Sequence, residues 1–296
     1  MSCRLKAGLF GGDCRTDKLY IIERLLDRLN TSGVEIHIRS EFYAFLEQAL
    51  GRRPQVSGVL EGDAFDLDVA LSVGGDGTFL RTAALINRQR IPILGINTGR
   101  LGFLADVSED QIEDTLAELT AGNYKTEERM LLELQTKGHA LREYNHALNE
   151  VAILKRDTSS MITIHTYLND EYLTAYQADG LLIATPTGST AYSMSVNGPI
   201  LLPQSDNIVL SPVAPHSLNV RPLVIPGSQR IRLVVESRTQ SFLTALDGRS
   251  EVMPIGTELT VNKGNYTLNV VKRHQHTFYR TLREKLMWGV DGRVKE

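Results

Sequence analysis

The residues best suited to chemistry lie in Leu71-Ser72-Val73-Gly74-Gly75-Asp76-Gly77-Thr78. An apolar run enters three glycines that surround one carboxylate, and a helical pattern starts near Thr78. Glycine permits positive φ and lets the backbone come close to a ligand. A helix N-terminus adds free N–H groups and the positive end of a dipole. Together these predict a phosphate cradle at the carboxyl end of a strand, where open α/β sheets bind ligands. The chain has no Gly-Lys-Ser/Thr of a Walker A loop, and Leu80 stands where the dinucleotide fingerprint needs a third glycine. An aspartate repels phosphate, so its place in a cradle needs a chemical reason. Asp76 can bind Mg²⁺ through water, or take the proton of an attacking hydroxyl. A plain strand-to-helix turn capped by Asp76 would need only one glycine.

A second glycine turn, Asn97-Thr98-Gly99-Arg100-Leu101-Gly102-Phe103-Leu104-Ala105-Asp106, ends the next strand and would line the same crevice. Phe103 could cover a flat base there, although taken alone it reads as a core residue. Further on, Asn149-Glu150 sets an amide beside a carboxylate, a pair suited to adenine nitrogens and ribose hydroxyls. In isolation the same pair reads as a surface turn. From Asp179-Gly180 an apolar strand runs into Thr185-Pro186-Thr187-Gly188-Ser189-Thr190-Ala191-Tyr192-Ser193. Five serine and threonine hydroxyls in those nine residues exceed the needs of a turn and predict a binding loop. Asp247-Gly248, between SFLTAL and RSEVMPI, reads on spacing as a type I′ hairpin, and Asp179-Gly180 alone permits the same. His216, in SPVAPHSLNVRPLV, reads as a buried, satisfied histidine rather than a catalytic one.

The elements that must position these residues change in character along the chain. LKAGLF (5–10), VEIHIR (34–39), DVALSV (68–73) and IPILGI (91–96) read as strands. Between and after them, 17–30, 41–50, 78–88 and 108–119 have helical spacing, and Ser108 with Gln111 forms a capping box. Such alternation predicts a doubly wound, mostly parallel sheet over residues 1–125. Residues 126–275 hold short runs rich in β-branched and aromatic residues: RMLLELQT, HALNEVAIL, MITIHTYL, EYLTAYQ, GLLIAT, RIRLVVES, SFLTAL, TELTVN and YTLNVV. Turn signals such as Asn169-Asp170 separate many of them, so a second, mostly β domain is predicted. Six of the ten prolines fall between Pro199 and Pro226, which predicts a long irregular connection there. Within 276–296, TFYRTLREKLMWG returns to helical spacing and is expected to pack back on the first domain.

The 296 residues are enough for two ordinary domains. A formal net charge of −3, from 32 Lys+Arg and 35 Asp+Glu, argues against a nucleic-acid or membrane-surface field. No apolar run approaches a membrane span. Two cysteines, Cys3 and Cys14, make no disulfide framework, and a cytoplasmic location is expected. The histidines show no metal-ligand spacing.

Gly74-Gly75-Asp76-Gly77-Thr78, the 97–104 turn, Asn149-Glu150 and Thr185–Tyr192, in this order and at these separations, closely resemble the motifs of NAD kinases. Pro215-His216-Ser217-Leu218-Asn219-Val220-Arg221-Pro222-Leu223-Val224 is similar to that family too. The resemblance covers nearly the whole chain. The first motif alone is shared with diacylglycerol kinases, sphingosine kinases and phosphofructokinases, whereas the set of four is specific. The resemblance implies transfer of the ATP γ-phosphoryl group to the 2′-hydroxyl of the adenosine ribose of NAD, giving NADP. It implies Mg²⁺ or another divalent cation brought with ATP, without direct protein ligands.

By this likeness Asp76 is the proton acceptor, within the turn of Gly74, Gly75, Gly77 and Thr78, and Arg81 lies near the phosphates. Phe103 belongs to the binding set. Asn149 and Glu150 hold the NAD in the second domain, and Asp179 contacts it. Thr190, Ala191, Tyr192 and Ser195 line the base and amide pockets, with Thr187 in the same turn. Asp247 is implied to lie near a neighbouring subunit's site in a homodimer or homotetramer. Gln177 departs from the family, many of whose members have arginine or histidine there. A lipid kinase sharing the glycine turn, a sugar-phosphate kinase and a non-catalytic NAD sensor are the competing readings. The first would need an apolar acyl slot, the second clustered Arg/Lys, and the third could dispense with Asp76.

Overall fold

The computed structural model describes residues 4–12, 16–99, 102–157 and 160–289. Cys3 and Cys14, Arg100 and Leu101 of the second glycine turn, and 290–296 of the tail lie outside them. The chain divides into two units, Met1–Glu127 with Asn269–Glu296, and Glu128–Leu268.

The first unit begins with β1 (Lys6–Gly11), α1 (Leu19–Thr31), β2 (Glu35–Arg39), α2 (Ser40–Leu50) and β3 (Gly58–Leu60). It continues with β4 (Val69–Gly74), α3 (Asp76–Ile86), β5 (Ile93–Asn97) and α4 (Ile112–Thr120). The strands are parallel in the order β5-β4-β1-β2-β3. Val69 through Val73 are all buried, which is why this strand reads as an unbroken apolar run. Leu71, Val73, Leu94 and Ile96 pack with α1, α2 and α4 on one face. On α1 the side turned inward carries Ile21, Ile22, Leu25, Leu26 and Leu29. The strand order reverses between β1 and β4, and Gly74-Gly75 leaves the sheet at the carboxyl end of β4. That is where an open α/β sheet leaves a crevice for ligand.

The second unit runs through β6 (Lys125–Lys137), β7 (His146–Ala147), β8 (Glu150–Lys155), β9 (Ile162–Leu168), β10 (Glu171–Ala178) and β11 (Gly180–Ala184). A short helix, α5 (Tyr192–Ser195), precedes β12 (Asn207–Val213), β13 (Leu223–Pro226), β14 (Ile231–Glu236), β15 (Ser241–Leu246), β16 (Arg249–Pro254) and β17 (Glu258–Lys272). One antiparallel sheet has the order β13-β12-β11-β8-β15-β16. The other ladder runs β10-β9-β14-β17. Their apolar faces share one core, including Val151, Ile153, Leu181, Ile183, Ile164, Leu233 and Phe242. At Asn169-Asp170 and at Asp247-Gly248 both residues have positive φ, as two-residue hairpins of type I′ require.

Three expectations change. The proline-rich stretch is not an irregular connection, because β12 and β13 lie inside it. Pro226 ends an edge strand, and the β12–β13 ladder stops at Leu210, before Pro212, so neither proline interrupts it. TELTVN and YTLNVV are parts of one strand, β17, rather than two. The short strand β3 has no counterpart in the sequence reading.

The end of β17 and the helix α6 (Phe278–Leu286) belong to the first unit, where Val270 lies beside Ile93. Lys272 pairs there with Asp106, and the two side chains are only 6 % and 5 % exposed. His276 Nδ1 lies 3.3 Å from the same carboxylate. Arg273 donates to both oxygens of Glu118 at 2.9 Å. Asp106 closes the second glycine turn, so Lys272 and His276 tie this segment to that turn, and Arg273 ties it to α4. Removing one partner of a buried pair strands the other charge, at about 3–5 kcal/mol. Lys272→Met should lower urea stability by that order, and Lys272→Met/Asp106→Leu should recover most of it. A single variant as stable as wild type would contradict the pairing.

Candidate active site

Gly74 has φ +153° and directs the chain from β4 into α3, which begins at Asp76, two residues before the start expected from the sequence. A Cβ at Gly74 would meet Thr78 Oγ1 at 2.4 Å. Arg81 is exposed and donates from Nη2 to Thr78 Oγ1 at 3.0 Å. Thr78, Arg81, Thr82, Phe10, Gly11 and Arg39 are among the residues around a recess of about 220 Å³.

The carboxylate of Asp76 is held by the second glycine turn. Oδ2 accepts from the Phe103 N–H at 2.9 Å, and Oδ1 from Leu104 and Ala105 at 3.1 and 3.0 Å. A Cβ at Gly102 would stand 1.8 Å from Oδ1. Only glycine at 102 lets the turn come this close. Lys285 of α6 places Nζ 3.8 Å from Asp76 Oδ2. Phe103 is half-buried rather than a core residue. Its ring centroid lies 6.2 Å from that of Phe278, and Lys285 Nζ sits 4.4 Å from it.

In the second unit Asp247 plays a comparable part. Its Oδ2 accepts from the Leu148 N–H at 2.7 Å, and Oδ1 from Asn149 and Glu150 at 2.8 and 3.2 Å. The hairpin aspartate therefore fixes the start of β8, which spacing alone does not reveal. Asn149 is buried rather than on a surface turn. Its carbonyl accepts from Thr185 N–H at 2.9 Å, and a Cβ at Gly188 would meet that oxygen at 2.0 Å. Burial pushes the Glu150 carboxyl up to about 7, with the Asp247 charge adding and the Tyr192 N–H opposing. Burial also pushes Asp247 up, against its three backbone donors and Arg249. Among the described residues, Glu150 Oε2 is buried without a hydrogen-bond partner, and so is Thr187 Oγ1.

The hydroxyls of the 185–193 turn are used differently from the expectation. Thr185 Oγ1 donates to Leu148 O at 2.6 Å and accepts from Gly188 N–H at 3.0 Å. Ser189 Oγ donates to Pro186 O at 2.7 Å, and Ser193 Oγ lies 2.9 Å from Ser211 Oγ. Thr190 Oγ1 donates to Thr187 O at 3.3 Å. Most of the five thus build the turn. Tyr192 and Ser195 are exposed and Ala191 is half-buried. Asp179 pairs with Lys155 at 2.7 Å. Gln177 is exposed, and its carbonyl accepts from the His216 N–H at 2.9 Å. His216 is itself exposed, not buried.

Sequence reasoning did not select Lys285 or Phe278. Their signal was present only as a basic, amphipathic tail, with nothing in it to say where the helix docks.

The fold and turns define a two-domain kinase architecture. The family model of the ATP-NAD kinase N-terminal domain matches residues 14–124, and that of the ATP-NAD kinase C-terminal domain matches 148–273. An NAD kinase of Bacteroides fragilis is 50 % identical over 290 residues, 98 % of this chain and 100 % of the relative. One from Porphyromonas gingivalis is 46 % identical over 284 residues, 96 % of this chain and 98 % of the relative. The chain belongs to the ATP-NAD kinase family. A crystal structure of an Archaeoglobus fulgidus NAD kinase in complex with ATP has a TM-score of 0.75 at 25 % identity, covering 96 % of this chain and 99 % of that one. Yeast NADH kinase complexed with NADH has the same fold, with a TM-score of 0.87 at 24 % identity over 99 % of this chain and 90 % of that one. None of these relatives favours a lipid kinase or a non-catalytic sensor.

Two outcomes follow from this geometry. Gly102→Ala should displace the Asp76 carboxylate and lower turnover by about 10²-fold, as misplacement of about 1 Å does; steady-state kinetics checks it. Glu150 holds its proton to about 7 in the folded chain, against 4.5 for an ordinary glutamate. The folded state then binds more protons between those values, so stability should fall as pH rises through that window. Urea midpoints should show the slope in wild type, and Glu150→Gln should flatten it.

Proposed function

We propose that the chain transfers the γ-phosphoryl group of ATP to the 2′-hydroxyl of the adenosine ribose of NAD, giving NADP. The observation that best supports this is Asp76, a carboxylate held by three backbone N–H groups at the start of a helix, in a glycine turn at the end of a parallel strand. A ribose hydroxyl is a weak nucleophile at neutral pH. Phosphoryl transfer therefore asks the protein for positioning, proton acceptance and charge neutralisation.

Asp76 takes the hydroxyl proton as the oxygen–phosphorus bond forms, and ADP leaves with the electrons of the broken bond. Three of the four lone-pair directions of Asp76 are engaged by N–H groups, and one on Oδ2 remains for this proton. Gly74, Gly75, Gly77 and Thr78 present the helix N-terminus to phosphate, with Arg81 at its edge. Among the described residues no three His, Cys, Asp or Glu side chains converge on one point. A divalent ion brought with the triphosphate would meet Asp76 through water. Mg²⁺, when bound, neutralises phosphate charge.

Asn149 and Glu150 hold the NAD. Glu150 Oε2, buried without a partner, is suited to accept from a ribose hydroxyl, which would supply its missing donor. Thr190, Ala191, Tyr192 and Ser195 line the base and amide pockets, with Thr187 and Phe103 in the binding set and Asp179 in contact with NAD. Asp247 acts on the site through Asn149 and Glu150, in addition to any contact with a neighbouring subunit. The edge strand β13 leaves Leu223 and Val224 exposed, and Leu218, which precedes it in the chain, is 86 % exposed. This supports a homodimer or homotetramer. No helix among the described residues is long and apolar enough to cross a membrane, and a cytoplasmic enzyme is our reading.

Asp76→Asn keeps one oxygen to accept backbone N–H groups but loses the proton acceptor. Its kcat for NADP formation should fall by about 10²–10⁴-fold while NAD still binds. Near-normal turnover would remove Asp76 from its role.

A further inference from the structure

An aspartate within a phosphate cradle sets two anions against each other, and the first unit contains a cation placed to resolve this. Lys285 lies in the last turn of α6, with Nζ 3.8 Å from Asp76 Oδ2 and 4.4 Å from the Phe103 ring centroid. At 3.8 Å the pair is ionic but too long for a hydrogen bond. Asp76 is meanwhile satisfied by three backbone N–H groups. The three N–H donors of Lys285 are therefore not spent on the carboxylate they adjoin. Its side chain is 29 % exposed, so the ammonium is partly desolvated beside an aromatic face, where a cation is stabilised.

The helix that carries Lys285 is fixed on the same turn. Phe278 meets Phe103, Leu282 is buried, and Thr277 caps the helix by accepting from the Arg280 N–H. Upstream, Lys272 and His276 both pair with Asp106, which ends the turn that holds Asp76. A basic last turn also suits the helix dipole, and Arg283 serves that need equally. The dipole does not explain why Lys285 stands over Phe103 beside Asp76.

We propose that Lys285 is a further catalytic residue of the reaction. It donates N–H groups to the terminal phosphoryl oxygens of the donor nucleotide, and so lets that anion approach the Asp76 carboxylate. This rests on the kinase reading given above. As transfer proceeds, negative charge on those oxygens is met by a cation already in place, at no cost in reorganisation.

The test measures equilibrium binding of ATP with Mg²⁺ and, separately, NADP formation by the full chain. The variants are Lys285→Met, Lys285→Gln, Lys285→Arg and the same-turn control Arg283→Met. Loss of a charge-assisted contact should weaken ATP binding about tenfold in the Met and Gln variants, and lower kcat/KM for ATP by about 10²-fold. KM for NAD should stay within about twofold. Lys285→Arg, which keeps the charge, should recover most of both, and Arg283→Met should match wild type. Lys285→Met or Lys285→Gln with wild-type ATP binding and turnover would overturn the inference while leaving the kinase reading intact. So would an Arg variant as impaired as the Met variant. If wild type bound ATP with Lys285 dependence but made no NADP, the kinase reading would fail and the ATP contact would stand. If wild type neither bound ATP nor made NADP, both would fall.

Discussion

Three backbone N–H groups, from Phe103, Leu104 and Ala105, converge on the carboxylate of Asp76. The rest of the first unit is arranged to make that convergence possible. Parallel strands β4 and β5 deliver two glycine turns side by side at their carboxyl ends. Gly102 removes the side chain that would collide with Asp76. Asp106, at the end of the same turn, is held by Lys272 and His276, so the turn is also fixed at its carboxyl end. A carboxylate so bound is fixed in orientation. Its remaining lone pair has one direction, as a proton acceptor in an ordered transfer needs.

The second unit uses the same device with a different carboxylate. Asp247 accepts three backbone N–H groups from Leu148, Asn149 and Glu150, and Thr185 closes on the other side of that segment. Asn149 and Glu150 are thereby held in place by backbone rather than by their own side chains. One carboxyl oxygen of Glu150, Oε2, is left buried and unpartnered, and burial with a second acid nearby keeps the carboxyl protonated to about 7. Such an arrangement costs stability and persists where a ligand or a proton completes it. In both units a carboxylate bound by three backbone N–H groups fixes the loop that carries the functional groups.

Much of this was legible in the sequence. The buried parallel strands appear as apolar runs because both of their faces are covered. Asn169-Asp170 and Asp247-Gly248 mark hairpins because their residues accept positive φ. The Gly-Gly-Asp-Gly turn stood out because three glycines exceed what a turn requires. What was not legible depends on partners remote in sequence. The hydroxyls of 185–193 looked like ligand groups until their bonds to Leu148, Pro186 and Ser211 took most of them. β12 and β13 were hidden by prolines that an edge strand, and a strand end paired with β11 on one side only, tolerate. Lys285 showed only the spacing of an amphipathic helix, and spacing does not tell which turn a helix docks against.

Hydrogen exchange of residues 102–106, followed by mass spectrometry in wild type and Asp76→Ala, tests the central interaction most directly. If the Asp76 carboxylate holds this turn, removing it should raise exchange at Phe103, Leu104 and Ala105 strongly, while α1 and α4 keep their wild-type protection. Unchanged protection of the 102–106 segment in the variant would show that the turn stands without Asp76, and would contradict the account.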